Sequence, residues 1–495
     1  MTTTSTSPAV TKLAAELRDT LQESTVLTPD SDGYSESIKR WSDAVEKKAG
    51  IVVYVRSAED ISATILACRK HSVSFVVSGG RHSSSGAGSS EGGLVIDLAK
   101  MREVHVDSTT NLVRVQGGCI WKDVDDAAFD SGLAAVGGTV NHTGVAGLTL
   151  GGGYGWLSGR YGLVIDNLRA VQMVLADGTI TTASEENQPD LFWAVRGAGH
   201  AFGVAVEFTF QAHEQKNPVW AGQMAFPIDK LHAIITFANS LVSTTDGDSG
   251  LIMGITAPPF TNHKPAVITN VFHNGPTTEA LSIFQPLLDL QPIINSTKER
   301  PYNEVNGMMN HAVDYGGRKL SKSAVFQTPL RPEFVSDIIL PELERFHATV
   351  PGGTRSIFLF EFFKSDRWCE YSTADMSFAN RGPHQNVMVG PFWDRAEDDQ
   401  AARNWSQAVS ELAWLEIERN QIDNGPAAKP APTTEYGNYD HLAASPRRIF
   451  GANLERLIEL KQQYDPQNVF DKSYSLIRGG EDVGRAAIGV CQHQL

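Results

Sequence analysis

The chain is poor in cysteine: Cys68, Cys119, Cys369 and Cys491 are the only four among 495 residues, and no two form a CxxC pair. That usage offers neither a disulfide framework nor a zinc-ligand pattern, so no metal is expected and a reducing compartment, the cytoplasm, is. Long apolar runs are lacking too. Charged or polar residues interrupt every stretch short of the roughly 20 residues that span a bilayer, so the sequence predicts a soluble protein without a membrane partner. The first ten residues, rich in Thr and Ser, lack the basic start and apolar core of a secretory signal. Positive charge is in deficit: 42 Lys+Arg against 57 Asp+Glu give a net charge of −15, which repels phosphate backbones and argues against nucleic acid as a partner.

What is present is ordinary globular composition, 41% hydrophobic and 20% charged, in a chain long enough for about three folding units. Residues 11–23 read as an amphipathic helix, 51–55 as a strand, 58–71 as a helix and 75–77 as a second strand. Between 92 and 210, short apolar runs at 94–98, 112–115, 171–175 and 204–210 alternate with Gly and Asp turns. From about 220 to 421 strand-like and helical segments alternate without glycine clusters, which predicts a second domain. The stretch 424–434, with Pro430 and Pro432, reads as a linker, and a helix over 454–464 should stop at Asp465-Pro466. The division expected is 1–45 as an N-terminal helical extension, 46–214 and 422–495 as two parts of one domain, and 215–421 as the other.

Chemistry concentrates in three glycine clusters. Ser78-Gly79-Gly80-Arg81-His82-Ser83-Ser84-Ser85-Gly86 follows directly on a strand, where glycines let successive N–H groups converge on a phosphate or a flavin ring. Taken alone, His82 reads sooner as a surface histidine in a flexible loop. The second cluster runs from Gly137 to Gly147 and continues as Gly151-Gly152-Gly153-Tyr154-Gly155. Three adjacent glycines each give up roughly 0.5 to 1 kcal/mol relative to alanine in a regular element, so a compensating reason is expected, such as an extended ligand against the backbone. A hinge fits poorly with the apolar Val145, Leu148 and Leu150 nearby. The third cluster, 196–203, misses the dinucleotide fingerprint because its last glycine is one residue late and a strand follows, and no GxxxxGK[ST] occurs.

Together these motifs resemble the berberine bridge enzyme-like branch of the vanillyl alcohol oxidase flavoproteins. The resemblance rests on SGGRHSSSG, GGTVNHTGVAGLTLGGGYGWLSGRYGLVIDN, RGAGHAFGVAVEF, Tyr436-Gly437-Asn438-Tyr439, and Leu457, Lys461 and YDPQNVF, and spans nearly the whole chain. It implies an α+β fold in which a bipartite FAD-binding domain supports a second α/β substrate domain carrying a sheet over the flavin. It implies FAD bonded through its 8α carbon to His82. The cysteine that makes a second bond in some relatives is replaced by Val140, so a single link is expected, and Cys119 is read as a small packed side chain.

The same resemblance assigns further FAD contacts to Ser78, Gly79, Gly80, Arg81, Ser83, Ser84 and Gly86, to Gly118, and to Gly138, Thr139, His142, Thr143, Gly144, Gly147, Gly152 and Gly155. Gly203, Val204, Tyr436 and Asn438 complete that set. Tyr436, Tyr154 and Asn438 are the expected catalytic residues. The strand on which relatives carry a catalytic Glu reads Met388 and Val389 here, which leaves Tyr436 as acid or base. An unperturbed tyrosine titrates near 10 and would have to fall to roughly 7 to 8 to serve as a base, with Arg381 as a candidate helping cation unless it pairs with a structural carboxylate. Glu361 lies in an apolar strand on one face with Leu359 and Phe363; it reads either as a pocket carboxylate or, preferred, as a satisfied or edge-exposed Glu.

The implied activity is hydride removal from a small organic substrate, an alcohol or a phenolic or polyketide-like metabolite, with molecular oxygen as acceptor. Thr143 departs from the commoner aliphatic residue near the place where relatives control oxygen access. The alternatives are a flavin-dependent oxidative cyclase and, because the carboxylate is missing, a flavin-binding protein without catalysis.

Overall fold

The computed structural model describes residues 7–424, 434–441 and 444–477. The linker expected around Pro430 and Pro432, and Cys491, lie outside the described residues. Three strands, Ile51–Tyr54, Leu94–Asp97 and Phe75–Ser78, pair in parallel, with Thr25–Leu27 antiparallel on the outer edge of the first. Ile51, Val53, Leu94 and Ile96 pack against the helices, while Val52, Val76 and Val95 pack with Tyr34 and Ala49 on the other face. Burial on both faces is what makes these strands continuous apolar runs rather than alternating ones. The crossover helix Ala58–His71 starts where the Ser57 side chain accepts from the Asp60 N–H and ends at Ser72 in the left-handed region.

The N-terminal helix spans Pro8–Thr20, three residues earlier than its periodicity suggested, because Ser7 caps it and a proline occupies its first turn. Val10, Leu13 and Leu17 share a core with Ile61 and Ile65. Together with the edge strand Thr25–Leu27, this helix is built into the first layer and is no appendage.

A second, antiparallel sheet runs in the order Val104–Asp107, Leu112–Gln116, Val204–Gln211, Leu168–Val174, Ile180–Ser184. The third is an eight-stranded antiparallel sheet. Its central order is Val219–Pro227, Ala266–His273, Ser249–Thr256, Ile357–Phe362, His384–Gly390, Lys322–Gln327, with short strands Ile294–Asn295 and Lys298–Arg300 pairing with the first of these. One face carries Leu251, Met253, Phe358 and Phe360 against helices that include Leu231–Thr244 and Asp399–Asn424. The opposite face contributes Ile252, Phe272, Leu359 and Met388 to the same core as Tyr154, Trp156 and Tyr436.

Residues 434–477 return to the first half. Helix Leu454–Tyr464 ends at Asp465-Pro466 as expected, and Leu454, Leu457 and Leu460 pack with Phe192 and Phe202. The buried Lys461 ammonium donates to Ala201 O at 2.7 Å, to Phe470 O at 2.9 Å and to Asp465 at 2.7 Å. Asp465 in turn accepts from the Val469 and Phe470 N–H groups, so the YDPQNVF motif is a lock that fixes residues 461–470 to the third glycine cluster. Among the described residues no helix is long and apolar enough to cross a membrane.

Candidate active site

A cavity of about 890 Å³ runs between the first two glycine clusters, the inner face of the eight-stranded sheet and residues 435–440. It brings together most of the residues singled out by sequence. Ser78, Gly79, Gly80, Arg81, His82 and Ser83 line it from the first cluster, and Gly138, Thr139, Thr143, Gly144 and Gly147 from the second. Gly203, Val204, Tyr154, Tyr436 and Asn438 line it as well.

Six expected contacts do not line the cavity. Ser84 is buried with its hydroxyl 2.9 Å from that of Ser321, and Gly86 packs beside Val45. A Cβ on Gly118 would lie 1.8 Å from Leu98 O, and one on Gly155 would lie 2.1 Å from Gly137 O. Gly152, at φ +108°, leaves room for the Phe378 ring. His142 lies behind His82, their ring centroids 5.1 Å apart. Gly118, Gly152 and Gly155 are thus small because another part of the chain presses on them, and Gly86 because its backbone is left-handed at φ +79°.

The same packing governs several of the glycines that do line the cavity, Gly147 excepted, where a Cβ would meet nothing within 4 Å. Gly80 and Gly144 are pressed together where the two clusters cross: a Cβ on Gly80 would meet Gly144 Cα at 2.4 Å. The triplet is compensated from within the protein, since a Cβ on Gly151 would lie 2.0 Å from Asn438 Oδ1 and one on Gly153 2.4 Å from Leu148 Cδ2. A ligand is not needed to account for it.

At one end of the cavity stands His82. Its ring stacks on Trp41 with centroids 4.7 Å apart and planes 19° apart, and its buried Nε2 has no hydrogen-bond partner. Burial, reinforced by His142 and Lys319, pushes its pKa down to about 3, so the imidazole is neutral and keeps a free lone pair. Lys319 itself is lowered to about 8 by burial, and its ammonium lies 4.6 Å from the Trp41 ring centroid. Arg81 is held in the left-handed region at φ 56°, and its guanidinium is taken up by Asp97 and the Tyr54 hydroxyl, both at 2.9 Å. Tyr315 donates its hydroxyl to Gly80 O at 2.7 Å. Trp41, Tyr315 and Lys319 come from segments with no motif of their own, and nothing in their local sequence marks them.

Toward the sheet stands Glu361. It projects from the central strand Ile357–Phe362, is buried, and lines the cavity. Tyr154 donates to its Oε2 and Tyr439 donates to its Oε1 at 2.9 Å. Burial raises its pKa to about 7, against the lowering effect of those two hydrogen bonds. Of the expected satisfied or edge-exposed Glu, the structure shows the satisfied one, with both oxygens accepting hydrogen bonds, and corrects the edge exposure. No Glu stands at Met388 or Val389, but Met388 pairs with Leu359 across the sheet, and the adjacent strand brings the Glu361 carboxyl to the cavity two residues along. Alternation had placed Glu361 on the right face; the strand's central position in the sheet was the information that sequence lacked.

The tyrosines move the other way from a base. Burial raises Tyr436, and raises Tyr154 and Tyr439 well above 10 with Glu361 adding to the effect, so all three stay protonated donors. Asn438 donates to the Tyr436 oxygen at 2.8 Å and to Leu148 O at 2.9 Å. Arg381 gives no help, because it is buried in a pair with Asp166 at 2.6 Å. The loop bearing Tyr436 is anchored instead by Lys322, which bonds Glu435 and, at 2.9 Å, Asp440; Arg448 reaches Glu435 at 2.8 Å.

The fit to FAD rests on three buried polar atoms without partners, Ser78 Oγ, Ser89 Oγ and His82 Nε2, all on residues lining one long cavity. Among the described residues no cysteine lines it; Cys119 is buried outside, its thiol directed at Glu103 O and raised by burial to about 12.

Two family models match: an FAD binding domain over residues 49–184 and a berberine and berberine-like segment over residues 435–476. The FAD-linked oxidoreductase pgmH of Aspergillus terreus is 30% identical over 488 residues, covering 93% of this chain and 95% of that protein. Among solved structures, 6-hydroxy-D-nicotine oxidase from Arthrobacter nicotinovorans superposes with a TM-score of 0.78 at 23% identity, covering 92% of this chain and 98% of the other. Glucooligosaccharide oxidase from Acremonium strictum, described with a 6-S-cysteinyl, 8α-N1-histidyl FAD, gives 0.77 at 20% identity over 95% and 99%. Its α+β fold, its two matched segments and this relative place the chain in the berberine bridge enzyme-like family of FAD-dependent oxidoreductases.

Proposed function

We propose that the protein removes a hydride from a small organic alcohol or phenolic metabolite, with FAD held by a single histidyl link at His82 and Glu361 taking the substrate's hydroxyl proton. The carrying observation is the carboxyl of Glu361, buried at the cavity wall and held by two tyrosine hydroxyls. FAD, when bound, supplies the hydride acceptor. Glu361 must be ionised to accept a proton, and a pKa near 7 matches a general base to neutral pH. Tyr154 and Tyr439 orient the carboxylate; Tyr436, positioned by Asn438, offers a second donor toward the substrate oxygen. His82, uncharged and with Nε2 unpartnered, is the available nucleophile for attachment, and Val140 in the lining has none to add.

A carboxylate in place removes the motive for reading the protein as a flavin carrier without catalysis. Molecular oxygen is the acceptor we propose, with Thr143 in the lining; the rate of reoxidation of the reduced enzyme in air tests it. Residues 46–214 and 422–495 are proposed as the cofactor-binding unit and 215–421 as the substrate unit. Cytoplasmic residence, on the cysteine usage, is tested by fractionation. The deciding experiment denatures the holoprotein and maps the flavin. Colour retained on a peptide containing His82 supports the link, and colour lost to the supernatant overturns it.

A further inference from the structure

The eight-stranded sheet presents a graded wall to the cavity. Its register places Gln223 opposite Asn270, Asn270 opposite Ile252, and Ile252 opposite Glu361, so these four side chains form one row on one face. At about 4.8 Å per strand, Asn270 and Gln223 stand roughly 10 and 14 Å from Glu361 along the row. The neighbouring row, two residues along each strand, reads Ile268, Gly254, Leu359 and Met388, and all four line the cavity. None of these carries a charge. Gly254 deepens this row: a Cβ there would already lie 3.1 Å from Ile357 Cδ1 and 3.2 Å from Leu359 Cδ2.

The far end of the polar row is an amide pair. Gln223 Nε2 donates to Asn270 Oδ1 at 3.3 Å, and both residues line the cavity. Gln223 Oε1 and Asn270 Nδ2 make no hydrogen bond to any described residue. The pair therefore offers one acceptor and one donor to a group that carries both or either, a hydroxyl or a carbonyl.

We infer that the substrate is an elongated, flat, uncharged fused-ring aromatic of about three rings, with its reacting hydroxyl at Glu361 and a second oxygen held by Gln223 and Asn270. This deepens the reading of Glu361 as the base. The apolar row accepts ring faces and has no hydrogen bonds for the many hydroxyls of a sugar. In the reaction the alcohol's O–H proton passes to Glu361, its carbinol carbon gives a hydride to FAD, and an aldehyde forms. The distal oxygen changes no bond.

The probes are 2-(hydroxymethyl)anthracene and its 6-hydroxy derivative, mixed anaerobically with the holoenzyme and followed in the flavin absorbance for dissociation constant and limiting rate. The 6-hydroxy compound is expected to bind about tenfold more tightly, the size of one well-made buried hydrogen bond. In Gln223→Leu and in Asn270→Leu that ratio should fall toward one. Equal binding of the two probes to the native enzyme, or a ratio that survives in both variants, overturns the proposal, as does faster flavin reduction by cellobiose. The ratio compares two ligands on one enzyme form and so stands apart from the role of Glu361. That role fails separately, if Glu361→Gln reduces the flavin at the native rate.

Discussion

His82 and Glu361 occupy different parts of one cavity, and burial acts on them in opposite directions. Desolvation disfavours whichever form is charged, so it lowers the imidazole to about 3 and raises the carboxyl to about 7. Around His82 the neighbours are a tryptophan face, a second histidine and a lysine, none of which offers Nε2 a hydrogen bond. Around Glu361 two tyrosine hydroxyls donate, and they check the rise without cancelling it. One force thus yields an uncharged imidazole in one place and a carboxyl that titrates near neutrality in the other.

The sharpest break in this contrast is His82→Ala, which should abolish covalent flavin altogether; denaturing gels viewed under ultraviolet light would show an unlabelled polypeptide. Next comes Glu361→Gln. It should slow anaerobic flavin reduction by about 10² to 10⁴, the usual worth of a general base, while the oxidised flavin spectrum persists. The same variant tests the burial cost. Because the folded carboxyl titrates at about 7 against an ordinary 4.5, the unfolded chain binds fewer protons between those pH values, so native stability falls as pH rises through them. Glu361→Gln escapes that loss and should be the more stable protein at pH 8 by about 3 kcal/mol, with the gap closing near pH 4 in thermal melts.

Gly80→Ala probes the crossing that holds His82 in place. A methyl 2.4 Å from Gly144 Cα forces the loops apart, and we expect a loss of about 1 to 3 kcal/mol in denaturant titrations together with slower flavin attachment. The mildest change is Tyr439→Phe. It removes a hydrogen bond that lowers the Glu361 pKa, so the acid limb of kcat/KM, expected near pH 7 in the native enzyme, should move to higher pH while the rate at pH 9 falls about tenfold or less.

Much of this was legible in the sequence, for reasons that differ from site to site. The parallel strands and their crossover helix announce themselves by apolar runs and a Ser cap, and helix Leu454–Tyr464 by its periodicity and its proline stop. The glycine clusters were legible as a place but not as a cause. Gly80, Gly144 and Gly151 are small because backbone or Asn438 presses on them, a contact between residues far apart in the chain. Tyr154 and Glu361 are separated by 207 positions and meet only once the sheet has formed, so no local pattern could pair them. Trp41 and Lys319 were invisible for the same reason, each lying far in sequence from the histidine it flanks.

The Lys461 lock and the Lys322 cluster have a consequence for how the protein is made. Residues 435–440 form part of the chamber wall, and residues 454–477 are pinned to segments synthesised hundreds of codons earlier. Until residues 435–477 have emerged and folded back the chamber lacks that wall, so a chain stopped before residue 435 is expected to leave the histidine loop open to solvent.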